Sequence, residues 1–405
     1  MTMLVRLKEV SLAFGHQKIL VDANLTIDSQ ERVCLIGRNG AGKSSTLKLV
    51  TGEIEPDKGE IFLAPLIRIA MLEQSLKKAS ERRVRDVVAD GMRNQLGRIQ
   101  SYQQLSDKNV PSKAILLEME KLERMIEAGG GWSVDTQVDA ILSQLDLPPT
   151  QKLSTLSGGW QRRVALAQTF VSKPDLVLLD EPTNNLDINT IEWLEREIAR
   201  FPGAALFVTH DRGFMERIAT RIIEIDRGSV RSWPGSYRKF LHEKEKANQE
   251  EDRRNRLFDK KLAEEEAWIR QGIKARESRN EGRVRALKEM RDTRQERVAR
   301  PKKPRIHLNE SKEISGRKVI EVRNVSHGFG GDPLISDFSL RVMRGERIGI
   351  IGNNGVGKST LLRILLGELK PDKGSVKLGT NLQVAYLDQL RRELDTTKTV
   401  AEIVG

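Results

Sequence analysis

Residues Gly37 to Ser44 read GRNGAGKS, and the same spacing returns at Gly352 to Ser359 as GNNGVGKS. Both match G-x-x-x-x-G-K-[ST], in which glycines turn successive backbone N–H groups toward phosphate oxygens, a lysine reaches the terminal phosphates and a hydroxyl ligates Mg²⁺. Each follows an apolar run and precedes a helical one, so a helix N-terminus adds its dipole to the cradle. The first cradle comprises Gly37, Arg38, Asn39, Gly40, Ala41, Gly42, Lys43, Ser44 and Ser45. The second comprises Gly352, Asn353, Asn354, Gly355, Val356, Gly357, Lys358, Ser359 and Thr360, with Ser44 and Ser359 as the metal-ligating hydroxyls. A purely structural Gly-rich turn is the alternative, and the residues downstream argue against it.

LVLLDEP places two carboxylates after an aliphatic run. Asp180, at the strand end, suits a Mg²⁺ shell, and Glu181 beside it can polarise an attacking water, as phosphoryl transfer requires. A solvated turn would not need the aliphatic strand before it. LSGGWQRRVALAQ, Leu156 to Gln168, opens a helix on Ser157, Gly158 and Gly159. Amide groups there can meet a polyphosphate end-on. A chain that already has a P-loop has no use for them in the same pocket, so they serve a nucleotide held by another domain's P-loop.

These residues need elements to position them. The two phosphate loops are offset by 315 residues, and so are PDKG at Pro56 and Pro371, Phe14 and Phe329 before a glycine, and Gln74 and Gln389 after a short apolar run. Such self-similarity at one offset is a tandem duplication. In the first copy, residues 1–242, the strand-like runs ERVCLIG, LVLLDE, AALFVTH and RIIEID alternate with helical stretches. That pattern predicts an α/β fold with a mostly parallel sheet. Residues 80–145 read as a helical subdomain with a small arm insertion, and residues 318–405 as the N-terminal part of the second copy. Between the copies, residues 243–305 are rich in Glu, Lys, Arg, Gln and Ala. Gly272, Asn280 and Gly282 mark where a helical hairpin would turn.

Composition narrows the partners. The 405 residues carry 38% hydrophobic and 31% charged side chains, and no apolar run reaches the ~18 residues that cross a bilayer. The single cysteine, Cys34, lies in an apolar run and reads as a small buried hydrophobe, so no internal disulfide forms and a reducing cytoplasm is expected. Net charge is +12, and residues 270–305 alone hold fourteen Lys/Arg against five Asp/Glu, a net +9. That concentration favours a polyanion partner over a diffusely basic surface. Arg270, Lys274, Arg276, Arg279, Arg283 and Arg285 flank the proposed turn and are the expected phosphate contacts. A solvated coiled coil is the ordinary alternative for such a charge run.

Taken together, P-loop, glutamine after a strand, LSGG, Asp-Glu, Asp187 and His210 resemble an ATP-binding cassette domain. Two cassettes joined by a charged helical linker resemble the ABC-F family of translation-associated ATPases, and EPTNNLD, THDRGFM and GSYRKFL are close to its wording. The linker phrase is most similar to the Uup branch. The resemblance implies tandem cassette domains that bind ATP with Mg²⁺. It also implies that Phe14 and Phe329 stack on adenine and that Gln74 and Gln389 sense the metal and γ-phosphate. Lys43 and His210 would contact the terminal phosphates, Glu181 would activate water and Asp187 would couple the two sites. Stacking reads purines poorly, so ATP rather than GTP is an implication of the family. Trp160 stands where transporters carry the glutamine of LSGGQ, and Asn185 where this family usually has histidine.

For partners, the family implies the ribosome and tRNA, with the linker approaching RNA in the exit-site region. A DNA-binding ATPase acting in repair or transposon excision is the alternative. The energising subunit of a membrane exporter is a weaker one, since a transporter has no need of a long basic linker. In the first copy Ser157 lies 120 residues beyond Gly37, whereas the chain has only 53 residues beyond Gly352. The second LSGG, Asp-Glu and histidine therefore lie outside this chain, which is expected to be a fragment of a longer protein. Weak turnover by the monomer follows. Head-to-tail pairing of two first cassettes is expected to restore some activity.

Overall fold

The computed structural model describes residues 2–72, 81–107, 113–129, 131–184, 186–272, 281–295, 318–330, 333–353, 355–380, 382 and 384–385. The chain divides into two compact units, Met1–Lys302 and Lys303–Gly405. The first opens with β1 (Met3–Phe14), β2 (Gln17–Asp28), β3 (Arg32–Gly37), α1 (Lys43–Thr51), β4 (Lys58–Leu63) and β5 (Ile69–Leu72). Helices α2 (Val84–Ala89), α3 (Arg93–Ser106), α4 (Lys113–Ala128) and α5 (Val134–Gln144) follow, and then α6 (Gly158–Phe170). Next come β6 (Leu176–Asp180), α7 (Ile188–Arg200), β7 (Ala204–Val208), α8 (Arg212–Ile218), β8 (Arg221–Asp226) and β9 (Ser229–Pro234).

Among the described residues, six strands form one sheet in the order β5-β6-β7-β3-β8-β9, and β2-β1-β4 form a smaller antiparallel sheet. The first five strands of the large sheet are parallel, and β9 pairs antiparallel with β8 at its edge. Burial on both faces explains the unbroken apolar strands. Cys34, Val177, Leu179 and Phe207 face one core with α5, α6, α7 and α8, while Val33, Leu35, Leu178 and Leu206 face the other with β1, β2 and α1. Strands covered on both sides read as continuous aliphatic runs rather than alternating ones. Arg32 is the exception. Its guanidinium caps the C-terminal end of α7 by donating to Ile198 O at 2.7 Å and also to Phe201 O, so a charge stays inside the core.

Two long helices complete the described part of this unit, α9 (Tyr237–Gly272) and α10 (Glu281–Gln295). The linker helix thus begins at Tyr237, inside the segment that sequence reading gave to the first copy. Phe240 is buried against Trp233, and Lys244 pairs with the nearly buried Glu224 of β8, which roots α9 on the sheet. Farther out, α10 runs antiparallel to α9: Arg291 meets Glu266 at 2.9 Å and Arg294 meets Asp259 at 3.6 Å, with Leu262 and Leu287 buried. Lys274, Arg276 and Arg279, expected to flank a turn, lie outside the described residues, and Arg270 and Arg283 are placed as helical backbone only. Arg285 is exposed on α10.

In the second unit, β10 (Lys318–His327), β11 (Ile335–Met343), α11 (Lys358–Leu365) and β12 (Lys373–Leu378) repeat the opening of the first. Their sheet order, β11-β10-β12, reproduces β2-β1-β4. Even side-chain bonds recur at the 315-residue offset. Asp57 accepts the Ala13 N–H at 2.7 Å, and Asp372 accepts the Gly328 N–H at 2.9 Å. The run before the second P-loop behaves differently. Ile348, Ile350 and Ile351 are 48%, 36% and 81% exposed and belong to no strand among the described residues, whereas Val33 and Leu35 are fully buried in β3.

Candidate nucleotide site

The P-loop joins β3 to α1 by way of two left-handed glycines. Gly42, at φ +100°, cannot carry a side chain, because a Cβ would stand 2.2 Å from Ile19 Cγ2. Gly357, at φ +93°, meets the same restriction from Leu334 Cδ2 at 2.7 Å. Both glycines are the N-caps of their helices, so the helix N-terminus opens directly under the loop. Lys43 Nζ folds inward to Gly37 O (2.8 Å) and Arg38 O (3.1 Å), and Lys358 Nζ does likewise to Gly352 O (2.7 Å) and Asn353 O (2.8 Å).

Walker-type carboxylates meet this loop at the carboxyl ends of β3, β6 and β7, where ligands of open α/β sheets lie. The Ser44 hydroxyl donates to Asp180 Oδ2 at 2.7 Å, pairing the two oxygens that a Mg²⁺ shell would use. Glu181 follows in the left-handed region at φ +47°. For a side chain other than glycine this costs about 1–3 kcal/mol, so its surroundings must hold it there. The restraints are visible. Glu181 N–H donates to Val208 O at 2.9 Å, and the Arg162 guanidinium donates to Asp180 O (2.9 Å) and Glu181 O (3.1 Å). The carboxylate accepts the His210 backbone N–H at 3.3 Å, with the imidazole Nε2 3.4 Å from its other oxygen. Burial raises the carboxyl of Glu181 above the ordinary glutamate range, and the charges of His210 and Lys43 work against that rise. The same burial lowers the Lys43 ammonium, opposed by Glu181 and Asp180. Cys34, fully buried beneath, has its thiol raised by burial and then by Glu181.

The LSGG stretch sits at the N-terminus of α6, as its residues predict. Ser157 is the N-cap in extended conformation, its side chain makes no capping bond, and it and Gly158 are exposed. Among the described residues, no hydrogen bond joins Ser157, Gly158 or Gly159 to the P-loop of their own unit. Gln161 fixes the approach to the helix through Leu153 O and Leu156 O. Trp160 lies under the Arg163 guanidinium at 4.8 Å. Arg163 in turn meets Asp187 at 2.5 Å, and Asp187 caps α7 through the Thr190 N–H at 3.0 Å. The Asp187 side chain is 1% exposed and committed within its own unit.

Sequence reasoning overlooked Arg162 and Arg163. Their signal was present: two cations in the first turns of a helix that then buries Val164 through Ala167, where arginine is rarely found unless paired. Phe14 and Phe329 are 52% and 71% exposed rather than buried in the core, and Phe329 meets His327 edge to face at 4.9 Å. Gln74, Asn185, Asn354 and Gln389 lie outside the described residues. The residues present fit a magnesium nucleoside triphosphate, since open space surrounds the Cβ position of Gly40 in the loop and Ser44 and Asp180 are already together. No described helix is long and apolar enough to cross a membrane.

Comparison with known proteins agrees with this geometry. The ABC transporter family model matches residues 20–184 and 335–403, and a second ABC transporter model matches 223–308. The ATP-binding protein Uup of Haemophilus influenzae is 43% identical over 405 residues, covering 99% of this chain and 62% of that protein. Its Escherichia coli namesake is 44% identical over 96% of this chain and 62% of its own length. The energy-dependent translational throttle protein EttA of Mycobacterium tuberculosis is 36% identical over 98% of this chain and 72% of its own. The chain therefore spans about three-fifths of the Uup relatives' length. Tandem phosphate loops, the LSGG helix and these likenesses together make the chain a member of the ABC-F family of ATP-binding cassette proteins.

Proposed function

We propose that this chain binds ATP with Mg²⁺ and hydrolyses it, and that closure on nucleotide presents the α9–α10 hairpin to ribosomal RNA and tRNA in the cytoplasm. The assembly of Ser44, Asp180, Glu181 and His210 around the P-loop supports the chemistry. Bound Mg²⁺ would supply charge neutralisation at the phosphates. The chain's own part is to hold the polyphosphate on loop amides and Lys43, to polarise water with Glu181, and to keep His210 beside that carboxylate. Gln74 and Gln389 are proposed to touch the metal and γ-phosphate, and Phe14 and Phe329 to stack on the base.

The basic linker, whose net charge between 270 and 305 is +9, supports an RNA partner contacted through its phosphates. One relative carries a translational role in its name. Sedimentation of the Glu181→Gln chain with ribosomes tests this, run with ATP or ADP and with excess competitor DNA. ATP-dependent pelleting that survives DNA is expected. Pelleting abolished by DNA in either nucleotide would put a DNA-binding ATPase ahead of the ribosomal reading.

A further inference from the structure

The residues assembled so far engage one end of a nucleotide. Ser44, Asp180, Glu181 and His210 gather on the β6–β7 side of β3, so the terminal phosphates belong there. A nucleoside triphosphate laid across the P-loop must send its sugar and base the opposite way. On that flank β3 is bordered by β8, paired in register as far as Gly37 with Ile225. There the structure has a cleft of about 570 Å³ walled by residues 17–19 of β2, 38–41 of the P-loop, and 225–228 at the end of β8 and its turn into β9. That volume suits a small-molecule site. The turn is anchored, because Val21 N–H donates to Gly228 O at 2.9 Å.

Asp226 ends β8, just before this turn. Its side chain is 53% exposed, and its ion-pair partner, Arg227 Nε, lies 3.8 Å away, beyond hydrogen-bond reach. A carboxylate there keeps acceptor capacity for neighbouring hydroxyl groups. The guanidinium of Arg227 offsets its charge against the polyphosphate.

We propose that Asp226 accepts a hydrogen bond from the ribose 2′-hydroxyl of the nucleotide bound at the first P-loop, so that the end of β8 makes the site prefer ribonucleotides over 2′-deoxyribonucleotides. This inference rests on the nucleotide-site reading and adds a determinant that base stacking on Phe14 does not supply. The test is calorimetric titration of the full chain carrying Lys358→Ala, which confines binding to the first loop, with Mg²⁺ and ADP, 2′-deoxy-ADP or pyrophosphate. ADP should bind tighter than 2′-deoxy-ADP, and Asp226→Ala should weaken ADP by about fivefold or more while moving the other two less than about twofold. Unchanged pyrophosphate binding also certifies the fold of the variant, and Asp226→Asn, which keeps an acceptor, should fall between. No ribose preference in the parent, or equal losses for ADP and 2′-deoxy-ADP in the variant, overturns the proposal. If the parent binds neither nucleotide nor pyrophosphate, the nucleotide-site reading itself falls.

Discussion

Glu181 is held in an arrangement that costs the fold, as a side chain kept for reactivity would be. It has left-handed backbone and a partly desolvated carboxylate, and neither helps the fold. Its folded-state pKa lies above the unfolded value. The carboxyl therefore adds stability when protonated, below an unfolded value near 4.3, and that contribution is lost as pH rises through the folded value. At neutral pH the ionised group opposes folding. Glu181→Gln should accordingly raise the melting temperature by about 1–3 °C at pH 7, with the gain gone near pH 4. Calorimetry at both pH values checks this, and a lower melting temperature at pH 7 would show that burial is not the dominant influence. The same substitution should reduce turnover by about a hundredfold or more while leaving ATP affinity nearly intact.

Helix α6 has two duties at the scale of elements. Its N-terminus is left exposed and is proposed to meet a nucleotide held elsewhere, and its second turn grips the end of β6 through Arg162 and the N-cap of α7 through Arg163. Arg162→Met should release the strained Glu181 peptide and lower kcat about ten- to a hundredfold, with KM for ATP changed less than about threefold. Arg162→Lys should recover part of the loss. Equal losses in kcat with both substitutions, accompanied by lower thermal stability, would point to a packing role instead. The strands under the site were legible as letters because two buried faces leave only aliphatic residues in β3, β6 and β7. The contacts of Arg162 were not, since its acceptors are backbone carbonyls that any residue would provide. Asp226 was equally silent, because a turn becomes a wall only after β8 is laid beside β3.

For the whole molecule, the duplication was legible to the residue, and the structure repeats it down to Asp57 and Asp372 on their amides. What differs between the copies follows from neighbours, which spacing alone does not reveal. One Asp-Glu pair and one LSGG accompany two phosphate loops in this chain. If sites are built by pairing one unit's P-loop with another's α6, phosphate release per chain should rise with protein concentration across about 0.1 to 10 µM, following mass action. A rate per chain that stays flat over that range and is substantial at the dilute end would refute intermolecular pairing.

The exposed run before the second P-loop bears on how its site responds. Gly357 and Lys358 adopt the same geometry as Gly42 and Lys43, but among the described residues no strand braces the peptide that leads into them. A cradle competent for only a fraction of the time binds with its dissociation constant multiplied by the inverse of that fraction. If the unbraced loop is such a cradle, two loops with nearly the same letters would titrate as a tighter first site and a looser second one. A strand laid alongside Ile348 to Ile351 would then raise the affinity of the second loop without touching the nucleotide, a gain that titration of the second loop with and without it would read.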